Sequence, residues 1–129
     1  MEITADVFLK KDDKTETLLV DMILDKAKQK GTGMWTSQSA MDLNIPIPTI
    51  DAAVSMRYLS ALKEERVMAA GNYSMEKKYP AGNKEQLINT CKNALHFAFI
   101  LSYAQGLHLL YEASKTYNYN VQIAEVVKV

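Results

Sequence analysis

A chain of 129 residues and 14.5 kDa has room for one domain around a single core, and 48% apolar residues suffice to fill it, which excludes a disordered chain. Fifteen Lys and Arg balance fifteen Asp and Glu, and a pI near 6.7 leaves no electrostatic footprint for a nucleic-acid partner or an anionic membrane. The lone Cys91 forms no internal disulfide, no secretory leader opens the chain, and no apolar run nears the roughly 18 residues needed to span a bilayer, so a soluble protein of the reducing cytoplasm is expected.

Residues 2–9, EITADVFL, place Ile3, Val7 and Phe8 at helical spacing and stop at the charged KKDDKTE stretch. They read as the last turns of something longer, and the chain is expected to be a piece of a larger protein. The stretch TLLVDMILDKAKQK fits either a short helix or an irregular apolar connection. Gly31-Thr32-Gly33 breaks it and opens a helix that runs to Asn44, after which Asn44-Ile45-Pro46-Ile47-Pro48 is a rigid extended connector, because each proline pushes its predecessor away from the α region. A helix capped by Thr49 follows, with Ile50, Ala53, Val54, Arg57 and Ala61 along one stripe, and is expected to end near Ala70 with Gly71 as its stop. Residues 71–83 read as an exposed loop. From Lys84, Leu87, Ile88, Cys91, Leu95 and Phe99 begin a helical pattern of about thirty residues, with Gly106 expected to mark a closely packed neighbour. Asn118-Tyr119-Asn120 ends it, and VQIAEVVKV opens another helix. With no strand alternation, the predicted fold class is all-α: a single helical domain over residues 1–129 with one long central helix.

Lys30-Gly31-Thr32-Gly33 combines an ammonium, a hydroxyl and the unpaired N–H groups of a helix start, which together suit an anion; the alternative is an ordinary loop with a capping threonine. GTGMWT lacks the third glycine of the dinucleotide fingerprint, since Thr36 stands there, and the polar AKQK before it is no buried strand. Arg57 interrupts an apolar stripe, where an unpaired guanidinium is costly to bury, so an anionic partner is expected, and a bound phosphate would suit its planar fork; the alternative is a stem on the core whose head reaches water or pairs with an Asp. His96 and His108 lie too far apart for a helical metal site, Asp12-Asp13 and Glu64-Glu65 read as solvated faces, and Asn72-Tyr73-Ser74 is a chance glycosylation sequon. No catalytic dyad and no metal site is expected.

Residues 18–70, LLVDMILDKAKQKGTGMWTSQSAMDLNIPIPTIDAAVSMRYLSALKEERVMAA, closely resemble the C-terminal helical domain of 6-phosphogluconate dehydrogenase, and LSYAQGLHLLYEASKTYNYN resembles the family's later long helix and the Asn-rich turn after it. The resemblance implies part of an enzyme that oxidises 6-phosphogluconate with NADP and decarboxylates it to ribulose 5-phosphate in the pentose phosphate pathway. It implies that the nucleotide-binding domain, the catalytic lysine and the catalytic glutamate lie outside these residues, which alone are inactive. Lys30, Thr32 and Arg57 match the family's ligands for the substrate phosphate, and a homodimer is implied. Met34 stands where the family has lysine, Ser55-Met56 replaces Phe-Ala, and Tyr119 replaces a tryptophan; the first removes a positive charge beside the site. The alternative is a non-catalytic helical module whose work is self-association or partner binding.

Overall fold

A computed structural model of the chain describes residues 2–28, 30–73 and 83–128. Seven helices follow one another among them: α1 (Glu2–Leu9), α2 (Leu19–Met22), α3 (Thr32–Asp42), α4 (Pro48–Ala61), α5 (Lys63–Asn72), α6 (Lys84–Tyr117) and α7 (Ile123–Val126). The only strand-like pairing among the described residues is a bridge between Lys11 and Leu18 in the turn joining α1 to α2. Most of the loop expected over residues 71–83, and the Ser74 of the sequon, lie outside the described residues. No described helix is long and apolar enough to cross a membrane.

The centre of the fold is the corner between α3 and α4. Asn44 takes a left-handed conformation (φ 57°) that ends α3, and the Ile45 N–H returns to the Ala40 carbonyl at 2.8 Å. The two prolines then hold Ile45 and Ile47 out of the helical region, and Pro48, which has no N–H to lose, starts α4 at its first position. This turns Ile47 inward to 1% exposure, where it joins Ala40 and Leu109, with Leu43, Ile45 and Ile50 packed around them. Thr49 is therefore not the cap of α4, as its type suggested. It lies one position inside the helix and exchanges two hydrogen bonds with Gln105 of α6: the Thr49 N–H donates to Gln105 Oε1 and Gln105 Nε2 donates to Thr49 Oγ1, both at 3.0 Å. The Ser37 hydroxyl donates to Asp51 Oδ1 at 2.6 Å, tying α3 to α4.

The stripe read as one helix from Thr49 to Ala70 is two. Leu62, at φ −87° and ψ 58°, breaks it, and the helix restarts at Lys63. Arg66 Nη2 donates to the Ser60 carbonyl, one of the acceptors left without an intrahelical donor at the end of α4. Gly71 lies inside α5 and is not its stop. A β-carbon at Gly106 would sit 4.0 Å from Ile50 Cδ1, an ordinary contact, so α4 packs there without demanding glycine.

The irregular residues 23–28 have little backbone pairing of their own among the described residues and are fastened to α4 and α5 by side chains. Arg66 grips Asp25 twice, Nη1 to Oδ2 at 3.0 Å and Nη2 to the carbonyl at 2.8 Å. The Ala27 N–H donates to Ser60 Oγ at 3.1 Å, Arg57 Nη2 donates to the Lys28 carbonyl, and Lys26 pairs with Glu64 at 3.7 Å. These contacts supply partners that a strand or helix would otherwise provide.

Ile47→Ala empties the corner and is expected to cost about 2–4 kcal/mol in urea denaturation, while Met41→Ala on the exposed side of α3 is expected to stay within about 0.5 kcal/mol. The hydrogen bond and charge of Arg66 hold the Asp25 carboxyl below the usual carboxylate range. The folded form then binds fewer protons than the unfolded chain, so the contact stabilises above about pH 4 and its contribution disappears as pH falls through the lower folded value. In thermal melts, the difference between the native chain and Asp25→Asn is expected to be largest near neutral pH and to narrow steadily below about pH 4; a difference independent of pH would exclude the ion pair as its source.

Candidate functional site

The segment fastened to α4 delivers its end to the start of α3. Gly31 caps that helix with φ 107°, a conformation costly for any residue with a β-carbon, and an added β-carbon would meet Trp35 Cζ2 at 3.3 Å. The Gly31 carbonyl accepts from the Trp35 N–H at 2.9 Å, so the left-handed turn feeds directly into the helical ladder. The first N–H groups of α3, at Thr32 and Gly33, have no earlier turn to pair with.

Lys30, Thr32 and Arg57, the three residues singled out from the sequence, line one concavity of about 420 Å³. Gly33 forms its helix-start side, and Ile50, Ala53 and Val54 of α4 form an apolar wall that ends in Arg57. The stripe that Arg57 appeared to interrupt is this wall. The guanidinium is exposed, and its partner among the described residues is the neutral Lys28 carbonyl, so the expected acidic partner is replaced by a contact that leaves its charge uncompensated. Lys28 also lines the concavity. Every charged lining residue is a cation. Sequence reasoning missed Lys28, and the only signal available was its place two residues before Lys30.

Other hollows lack this combination. One of about 580 Å³ at the end of α6, lined by Tyr111, Ser114, Lys115 and Asn118, is larger, but Lys115 is occupied by both oxygens of Glu112 at 3.1 Å. Met34 faces a separate depression with Met41, Asp51 and Tyr58, outside the cationic concavity. Tyr119 packs on Tyr117 with ring centroids 5.5 Å apart. Asp12 is structural: its carboxylate accepts from the Thr15 hydroxyl and N–H at 2.8 Å, and the Thr15 hydroxyl leads the contacts that lower its pKa. His108 stands 3.8 Å from Glu112 on its own helix.

The turn at Gly31 is not built like the glycine turn that cradles a dinucleotide. The dinucleotide fingerprint needs a buried strand running into the glycine turn, and residues 26–28 and 30, which precede this turn, form no strand and expose Lys28 and Lys30. The arrangement suits a compact anion instead, held by point charges, a guanidinium fork and a hydroxyl.

The family model described as 6-phosphogluconate dehydrogenase, C-terminal domain, matches residues 1–129. The NADP(+)-dependent, decarboxylating 6-phosphogluconate dehydrogenase of Bacillus subtilis (strain 168) is 51% identical over 130 residues, covering 100% of this chain and 28% of the relative. The decarboxylating enzyme of Escherichia coli (strain K12) is 45% identical over 129 residues, covering 100% of this chain and 27% of its own length. A solved structure of Plasmodium falciparum 6-phosphogluconate dehydrogenase, described in its apo form, with its cofactor NADP+ and with its substrate 6-phosphogluconate, superimposes with a TM-score of 0.89 at 41% identity, over 98% of this chain and 28% of that one. The chain thus spans somewhat more than a quarter of the length of these relatives. On sequence and fold together, it belongs to the 6-phosphogluconate dehydrogenase family and corresponds to that family's C-terminal domain.

Proposed function

We propose that the chain is the substrate-phosphate and dimerisation domain of an NADP-dependent, decarboxylating 6-phosphogluconate dehydrogenase. The observation that carries this reading is the meeting of Lys30, Thr32 and Arg57 on one concavity whose charged residues are all cations. A sugar phosphate is mostly a dianion at neutral pH, and two cations with a hydroxyl give it charge-assisted hydrogen bonds from several directions. Arg57 keeps Nη1 and Nε for the ester while Nη2 holds the Lys28 carbonyl. Binding at this non-reacting end orients the sugar acid without taking part in hydride or proton transfer. In this reading the oxidation and decarboxylation, and the main contacts to NADP, fall to groups outside these residues.

The dimer reading rests on surface. The folded chain leaves 11166 Å² accessible, against roughly 6,900 Å² for a compact monomer of this mass. Large apolar side chains are part of that surface, with Leu87, Ile88, Phe97, Phe99, Ile100 and Tyr103 of α6 all exposed. The same surface favours a second reading, a non-catalytic self-association module, which would assemble but bind no phosphate ester.

Calorimetric titration with 6-phosphogluconate is expected to show binding that Lys30→Ala or Arg57→Ala weakens about 10- to 100-fold, with Arg57→Lys intermediate because it keeps the charge and loses the fork. Gluconate, which lacks the phosphate, is expected to be insensitive to all three; equal losses for both ligands would refute a phosphate contact. Light scattering is expected to give at least twice the chain mass at micromolar concentration, and a monomer at all concentrations would refute the dimer.

A further inference from the structure

We propose that Lys28 is a third cationic contact for the phosphate ester, a binding residue beyond Lys30, Thr32 and Arg57; this rests on the phosphate reading above and deepens it. Lys28 lines the same concavity as the other three, and no acidic side chain lines it with them. Its main chain is fixed to the site, because its carbonyl accepts from Arg57 Nη2 and the neighbouring Ala27 N–H donates to Ser60 Oγ. The arginine that grips the ester therefore also sets the backbone from which Lys28 reaches. Its sequence neighbour behaves differently: Lys26 is paired with Glu64, whereas no carboxylate among the described residues pairs with Lys28. One charge on this segment is spent on holding it to α5, and the other is left over the concavity.

The chemistry leaves room for a third donor. A phosphate monoester presents three terminal oxygens carrying up to two negative charges. Lys30 and an arginine with one arm already engaged do not fill that acceptor set, and an ammonium entering from the Lys28 side completes it. Lys28 acts on affinity for the phosphate end and touches no reacting atom.

The test is calorimetric titration of the intact protein carrying this chain, with 6-phosphogluconate and separately with inorganic phosphate, at low and high salt. Lys28→Gln is expected to weaken both ligands about fivefold at low salt, the effect of one unit charge some 4 Å away through water, and less at high salt. Lys28→Arg is expected to restore the affinity, and the melting temperature of Lys28→Gln is expected to match the native protein, since only the Lys28 carbonyl takes part in the anchoring. Lys26→Gln, which removes the same charge from the segment away from the concavity, is expected to change affinity by less than about twofold. If Lys30→Gln weakens binding and Lys28→Gln does not, or if Lys26→Gln weakens it as much as Lys28→Gln, the third contact is overturned while the phosphate pocket stands. If neither Lys28→Gln nor Lys30→Gln alters binding, the phosphate reading itself is overturned, and the third contact with it.

Discussion

A length of backbone without regular structure must still find partners for its N–H and C=O groups, and in this protein the side chains that provide them are the ones that build the site. Residues 25–28 lie against α4 and α5 because Arg66, Ser60 and Arg57 bind their carbonyls, a carboxylate and an N–H. Without these contacts nothing local would hold Lys28 and Lys30 near α4, since the left-handed Gly31 only sets the direction in which the chain enters α3. Arg66 has an Nε that is buried without an acceptor among the described residues, a desolvation cost offset by the bonds its two terminal nitrogens make. Cationic side chains thus fasten the segment, and Arg57, one of the fasteners, also lines the concavity.

The core behind the site is small. Ile47, Ala40 and Leu109 are its buried apolar residues, and the Thr49–Gln105 exchange adds direction to their packing. Among the described residues the fully buried apolar side chains are few for a chain of this mass, and α6 and α1 present apolar side chains outward. The exposed rings and aliphatic chains of α6 stand out for this reason, because isolated exposed apolar side chains are ordinary but a run of them along one helix is not.

Much of the architecture was legible in the sequence because it is written in local chemistry. Proline at 46 and 48 set the connector, Gly31 set the start of α3, Asn118 with φ 56° closed α6, and unbroken helical periodicity gave α6 its length. Arg57 was legible as an anomaly, a cation in an apolar stripe, and the structure turns that stripe into the wall of a concavity. What was not legible depends on partners distant in sequence. The break at Leu62 coincides with Arg66 bonding the Ser60 carbonyl while gripping Asp25, 41 residues away, and no propensity at 62 announces it. Thr49 reads as a cap by type, and only Gln105, 56 residues on, reveals its other use. Lys28 could not be told from Lys26 until one was seen beside Glu64 and the other beside the concavity.

The 34 residues of α6 make a rod about 51 Å long, and the described fold supports only part of it. All of residues 84–97 are exposed, whereas the inward contacts gather around Gln105, Leu109 and Ser114. The amino-terminal half is thus a cantilever, held at one end by tertiary packing and started at the other by Asn83, whose side chain accepts from the Glu85 N–H. A helix of that length is marginal on its own in water, so its coiled form is only as durable as whatever lies alongside it. The free rod is therefore expected to fray from its tip toward residue 98, while the concavity, braced by the contacts of α4 and α5 with the segment before Gly31, keeps its shape.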